Sequence, residues 1–263
     1  MKPINRVIIL ILGLAFLSFS SDGDENDILD PIEATSSLKT ETFAFSSNGV
    51  ASKGKIFLPA SYETNRNLPA IYLIDFTEQQ FKLATDEFEK VVGGVQQIQG
   101  FDALVVTLEE HLDIDSKPEA FQEYYDVFRN MTSYVDGKYT NNTSRTFIGR
   151  GSEAGIVLMT LFFESSKASV FESYIVTDPS PSFTSAVIQM IENEDVPKSS
   201  PDKKLHFSFS TSNDYNLCTK LINLFEEAQY SWLKYETIEY TDSNYENTYP
   251  VSFAAGLEYI FTE

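Results

Sequence analysis

The stretch Thr146-Phe-Ile-Gly-Arg-Gly-Ser-Glu-Ala-Gly-Ile-Val-Leu-Met-Thr-Leu-Phe-Phe-Glu164 constrains the fold more than any other part of the chain. It reads as a short buried strand, a glycine-rich corner centred on Ser152, and an apolar helix. A serine on a sharp strand-to-helix turn is held clear of the sheet, and the amide that follows it can bind an oxyanion. That turn needs small residues two before and two after the serine. Ala154 meets the second requirement, and Arg150 stands where the first should be. The same letters also fit G-x-G-x-x-A, a dinucleotide-binding fingerprint, through Gly149, Gly151 and Ala154, with Asp178 following the next strand. Locally the two readings compete.

The chain has 263 residues, enough for one large domain with a sizeable core. Met1 to Arg6 carries two positive charges, and Val7 to Phe19 is an uncharged apolar run ending in small residues. Residues 1–20 therefore read as a secretory signal peptide, too short for a comfortable transmembrane span. Residues 21–36 open on Ser21-Asp-Gly-Asp-Glu-Asn-Asp27 and read as an acidic linker, leaving 37–263 as the folded domain of an exported protein. This linker resembles the acidic segment behind the lipidated cysteine of bacterial surface lipoproteins, but no cysteine stands at the junction. A membrane anchor is thus unsupported.

With 19 basic against 39 acidic side chains, the net charge is −20, and loss of Lys2 and Arg6 with the leader makes the domain more acidic still. Such a surface repels nucleic acid and anionic membranes, and both are rejected as partners. It says little against a small neutral ligand, such as an ester. The single cysteine, Cys218, falls in a helical pattern and reads as a small buried hydrophobe. Glu109-Glu-His-Leu-Asp-Ile-Asp115 lacks the glycine and terminal glutamate of a calcium loop and reads as solvated. No metal or cofactor is expected.

Ser37 to Phe45 and Val50 to Leu58 alternate polar and apolar residues around Ser-Ser-Asn-Gly, the pattern of an antiparallel hairpin. Buried strands follow at 70–75 and 103–108, and further strands at 174–177, 205–209 and 234–240. Helices are expected at 78–92, 118–134, from the loop after Asp178 to about 194, at 215–230 and at 250–261. Alternating strands and helices behind a hairpin predict an α/β fold: a mostly parallel central sheet with helices on both faces.

From about residue 50 onward the chain resembles the esterase D and enterochelin-esterase-like branch of the α/β-hydrolases. Lys55-Ile-Phe-Leu-Pro-Ala-Ser-Tyr62 is similar to that family's strand and "LPxxY" loop, and Leu68-Pro-Ala-Ile-Tyr-Leu-Ile-Asp75 to its "PVLYLLDG" strand. Ser133-Tyr-Val-Asp-Gly-Lys-Tyr139 resembles "PYVDxxY", and the segment from Ser152 its "SxGG" turn and helix. These ordered blocks outweigh the dinucleotide fingerprint, which normally opens the first strand–helix–strand unit.

The resemblance implies an α/β-hydrolase fold with Ser152 as nucleophile, Glu153 lending its backbone N–H to an oxyanion hole, and a second N–H near Phe76, where the family has glycine. It implies an acid after the strand 205–209, for which Asp214 is the best-placed carboxylate. A helix N-cap is an equally good account of that residue. It also places Tyr245, in Asp242-Ser-Asn-Tyr-Glu-Asn-Thr-Tyr-Pro250, at the histidine. A phenol with a pKa near ~10 makes a poor general base at neutral pH.

The two histidines offer little rescue. His206 begins a strand, at the wrong edge of the sheet, and His111 lies on a loop at the carboxyl end of its strand. Two readings follow. One is a catalytically impaired member acting as a binding or surface-interaction module; the other is a divergent carboxylic-ester hydrolase that uses Ser152 with an unrecognised base, for which His111 is the candidate.

Overall fold

The computed structural model describes residues 39–74, 84–109, 117–164, 169–196 and 199–262. The signal-peptide and linker readings, Asp75, Phe76 and His111 lie outside the described residues.

Strands β1 (Thr40–Ser47) and β2 (Val50–Phe57) form the expected hairpin, with Ser47 paired to Val50. Asn48 and Gly49 turn the chain at φ 51° and 83°. Two successive residues at positive φ give the tight turn whose twist matches the flanking strands, and Asn-Gly is the pair that adopts it most readily.

Six further strands complete one sheet: β3 (Ala70–Leu73), β4 (Leu104–Leu108), β5 (Arg145–Arg150), β6 (Ser173–Thr177), β7 (Lys203–Ser210) and β8 (Leu233–Tyr240). The order is β1-β2-β4-β3-β5-β6-β7-β8, antiparallel through β2 and β4 and parallel beyond. Every residue of β3, β4 and β6 is buried, which is why these strands read as continuous apolar runs rather than alternating ones. Helices α1 (Ala84–Gln97) and α6 (Tyr245–Thr262) cover one face, while α2 (Phe121–Lys138), α3 (Ser152–Glu164), α4 (Pro181–Glu192) and α5 (Tyr215–Ala228) cover the other.

The pleat divides each strand between two cores. Tyr72 and Phe147 pack towards α2 and α3, whereas Ile71, Leu73 and Ile148 pack towards α1 and α6. Cys218 is fully buried in the first core, and burial pushes its thiol up to about 12.

The last helix differs from expectation. It begins at Tyr245 and carries Pro250 inside it, five residues after its start. Asn244 caps it, accepting from the backbone N–H groups of Glu246 and Asn247 at 3.0 and 3.1 Å. That cap starts the helix ahead of the proline, which falls in the second turn and cannot donate to the Glu246 C=O. Tyr245 therefore sits on a helical turn and not in a loop. The dinucleotide reading also falls, because the glycine corner follows the central fifth strand of a sheet whose order is not that of a dinucleotide fold.

Candidate functional site

Strand β5 ends at Arg150, and the chain turns into α3 through Gly151, which has φ 63°. Ser152 is the first residue of α3 and does not share that conformation. The apex of the corner is thus Gly151, one residue earlier than expected. Three backbone bonds hold it: Gly151 N–H to Thr177 C=O (3.0 Å), Ser180 N–H to Gly151 C=O (2.9 Å), and Gly155 N–H to Gly151 C=O (3.1 Å).

This register removes the objection raised by Arg150. The small residue two before the apex is Gly149, where a Cβ would lie 2.7 Å from the carbonyl carbon of Glu153 and 2.9 Å from the amide nitrogen of Ala154. Arg150 shares the face of Ile148, away from α3. Its guanidinium is ion-paired with Glu87 of α1 and lies over the rings of Tyr245 and Tyr249, at 4.7 and 4.3 Å from their centroids. The bulky residue at the corner ties α1 to α6.

Tyr245 closes the corner from the other side. A Cβ built on Gly151 would collide with the Tyr245 hydroxyl and stand 3.2 Å from its Cζ. The residue as a whole remains 39% exposed while its hydroxyl end is tucked against the glycine. That burial raises the phenol to about 12; the Arg150 guanidinium opposes the shift, and the charges of Glu153, Glu87 and Asp178 add to it. The group is a protonated phenol at neutral pH, the wrong state for a base.

The remaining expected residues are dispersed. The Asp214 side chain caps α5, accepting from Leu217 N–H at 3.1 Å, so the N-cap account of this residue describes its geometry. Glu153 is the second residue of α3, two past the apex; the amide directly after the apex belongs to Ser152. His206 sits within β7, fully buried beside Gly256 of α6, with Nδ1 3.0 Å from Glu236 Oε2.

Burial lowers the His206 imidazole to about 4 despite that carboxylate. Between about 6.5 and 4 the unfolded chain binds a proton that the native chain refuses. The stability linked to this group is therefore complete above pH 6.5 and falls by roughly 3 kcal/mol as the pH drops to 4. Urea melts at pH 7 and pH 4.5 should show a steeper loss for the native chain than for His206→Gln. Equal losses would contradict a buried, neutral imidazole.

In the sequence Asp178 belongs only to the dinucleotide pattern, yet it is the acid that the fold brings to the corner. It follows β6 with φ 49°, is 3% exposed, and lines a cleft of about 280 Å³ with Gly151, Ser152, Ser180, Ser212 and Tyr245. Its Oδ1 accepts from Ser210 N–H (2.6 Å), Ser210 Oγ (3.0 Å) and Asn213 Nδ2 (3.3 Å). The one available signal was its place directly after a buried strand. Among the described residues, no cluster of three or more histidine, cysteine or acidic side chains is arranged to hold a metal ion, and no helix is long and apolar enough to cross a membrane.

An eight-stranded, mostly parallel sheet in this order, with a tight corner after the fifth strand and an antiparallel hairpin at one edge, is the α/β-hydrolase fold. Its solved neighbours agree. An IroE-like serine hydrolase from Shewanella oneidensis superposes with a TM-score of 0.70 at 13% identity, over 85% of this chain and 80% of that one. A siderophore hydrolase, EstA, from Aspergillus nidulans gives 0.63 at 13% identity over 90% and 98%. An uncharacterised protein from Capnocytophaga ochracea gives 0.64 at 18% identity over 84% and 63%. No protein-family model matches the chain, and no curated protein matches it in sequence.

Proposed function

We propose that this is an exported, esterase-like α/β-hydrolase-fold protein that no longer hydrolyses esters and works as a binding module at the carboxyl edge of its sheet. The observation that carries the reading is the contact between Gly151 and Tyr245. The turn that would raise a nucleophile above the sheet is made by a residue with no side chain, and a phenol hydroxyl fills the space such a side chain would need. The order of strands supports it too, since nucleophile, acid and base follow one another along the chain in this fold. Those places hold Gly151 after β5, the capping Asp214 after β7 and Tyr245 after β8. Ser152 lies within the first turn of α3, and no imidazole among the described residues shares its cleft.

The purified full chain, treated with a fluorophosphonate probe and mapped by peptide mass spectrometry, is expected to remain unlabelled. A modified Ser152 would overturn the reading in favour of a divergent ester hydrolase.

A further inference from the structure

We infer that the cleft beside Tyr245 takes a small, neutral, hydroxyl-rich ligand, with Asp178 as its buried anchor. This rests on the non-catalytic reading of the corner and names what the site would hold instead of an ester.

The lining decides the ligand class. Ser152, Ser180, Ser212 and Tyr245 offer hydroxyls, Asn213 a carboxamide and Asp178 a carboxylate. Hydroxyls and amides both donate and accept, as do the hydroxyls of a polyol or a sugar ring. Among the described residues the lining holds no lysine or arginine, so an anion would meet Asp178 without a compensating cation. Its apolar members among the described residues are two prolines, Pro179 and Pro181, a surface for the carbon face of a ring rather than a slot for an acyl chain. The volume, about 280 Å³, lies at the low end for ligand pockets and suits a single ring or a short polyol.

Asp178 gives the site its polar pull. Oδ1 carries three hydrogen bonds, whereas Oδ2 is buried and without a hydrogen-bond partner among the described residues. A buried carboxylate oxygen left without a donor is costly, and a donor brought by a ligand removes the cost. The backbone at Asp178 is also in the left-handed region, which a non-glycine residue occupies only when its surroundings hold it there. Ser152 and Tyr245 also line the cleft and contribute side-chain hydroxyls to it.

The test is saturation-transfer NMR on the full chain, followed by calorimetric titration, with glucose, galactose and inositol as neutral probes, acetate as the anion and ethanolamine as the cation. At least one neutral probe should bind saturably, and acetate should not. Asp178→Asn keeps an oxygen acceptor and tolerates the backbone conformation, and should weaken binding by about tenfold. Tyr245→Phe, which removes one hydroxyl, should weaken it less, with both variants showing native circular dichroism.

Silence from all three neutral probes, binding of acetate or ethanolamine alone, or full affinity in Asp178→Asn would each overturn the inference. Such a failure is separable from failure of the underlying reading. Fluorophosphonate labelling would bring down both, whereas an unlabelled protein that binds no polyol loses only this one.

Discussion

Lys203→Met is expected to cost the protein about 3–5 kcal/mol of stability, because it leaves Glu164 buried without its counter-charge. Both side chains are fully buried. The Lys203 ammonium lies 3.2 Å from Glu164 Oε2 and is also bonded to Ser169 Oγ (2.5 Å), Phe171 C=O (2.7 Å) and the Tyr174 hydroxyl (3.0 Å). Glu164 in turn accepts from the Tyr125 and Tyr174 hydroxyls at 3.0 and 2.8 Å, and from the N–H groups of Val170 and Phe171 at 3.0 Å.

Burial pulls the ammonium below its ordinary value while Glu164 pulls it back, so each charge depends on the other. In the variant, Glu164 keeps its hydrogen-bond donors but is left as a buried carboxylate without a counter-charge. Replacing both partners, as Lys203→Met with Glu164→Gln, should recover part of the loss, since no buried charge then remains. Urea denaturation gives the free energies, and a thermal midpoint lower by roughly 10 °C is the corresponding scale for a domain of this size. A Lys203→Met protein within 1 kcal/mol of the native chain at pH 8 would show that the pair does not hold the amino edge of the sheet.

That network was invisible in the sequence because its members are far apart along the chain. Lys203 and Glu164 are 39 residues apart, and each alone reads as an ordinary end-of-element charge. Features built from neighbouring residues were legible. The Asn-Gly turn specified its hairpin, and the apolar run through β3 and the largely apolar β4 specified buried strands. Pro250 misled because proline commonly opens a helix, and Asn244 had already done so.

The corner is legible in the sequence as a corner centred on Ser152, whereas the backbone turns one residue earlier, because positive φ at a point of close approach favours glycine. Arg150 was the clue: it violates the small-residue rule if Ser152 is the apex and satisfies it if Gly151 is. Asp178 and Asp214 could not be ranked from sequence. Both follow strands, and only the fold shows one capping a helix at the surface and the other buried in the cleft.

The register also determines which substitutions would set a nucleophile and a base facing each other at the corner. Gly151→Ser alone places a side chain at positive φ against the Tyr245 hydroxyl, and should be destabilised by about 1–3 kcal/mol and unreactive. Tyr245→His alone removes that hydroxyl but leaves the apex without a nucleophile, and it too should not react with a fluorophosphonate. Together the two substitutions should relieve the collision and set a serine beside an imidazole, with the Ser152 N–H following the apex as an oxyanion donor.

Asp178, whose charge already acts on position 245, would favour the imidazolium formed when the histidine takes the serine proton. Labelling should then appear at residue 151, and turnover of a short acyl ester should exceed that of the serine variant by roughly 10²–10⁴, the usual contribution of a positioned general base. The outcome distinguishes the two registers. If Tyr245→His alone became labelled at Ser152, the serine in the first turn of α3 would be the nucleophile after all, and Gly151 only the hinge that carries it. If the double variant alone responds, the chain is a hydrolase scaffold disarmed at two positions that face each other across the corner.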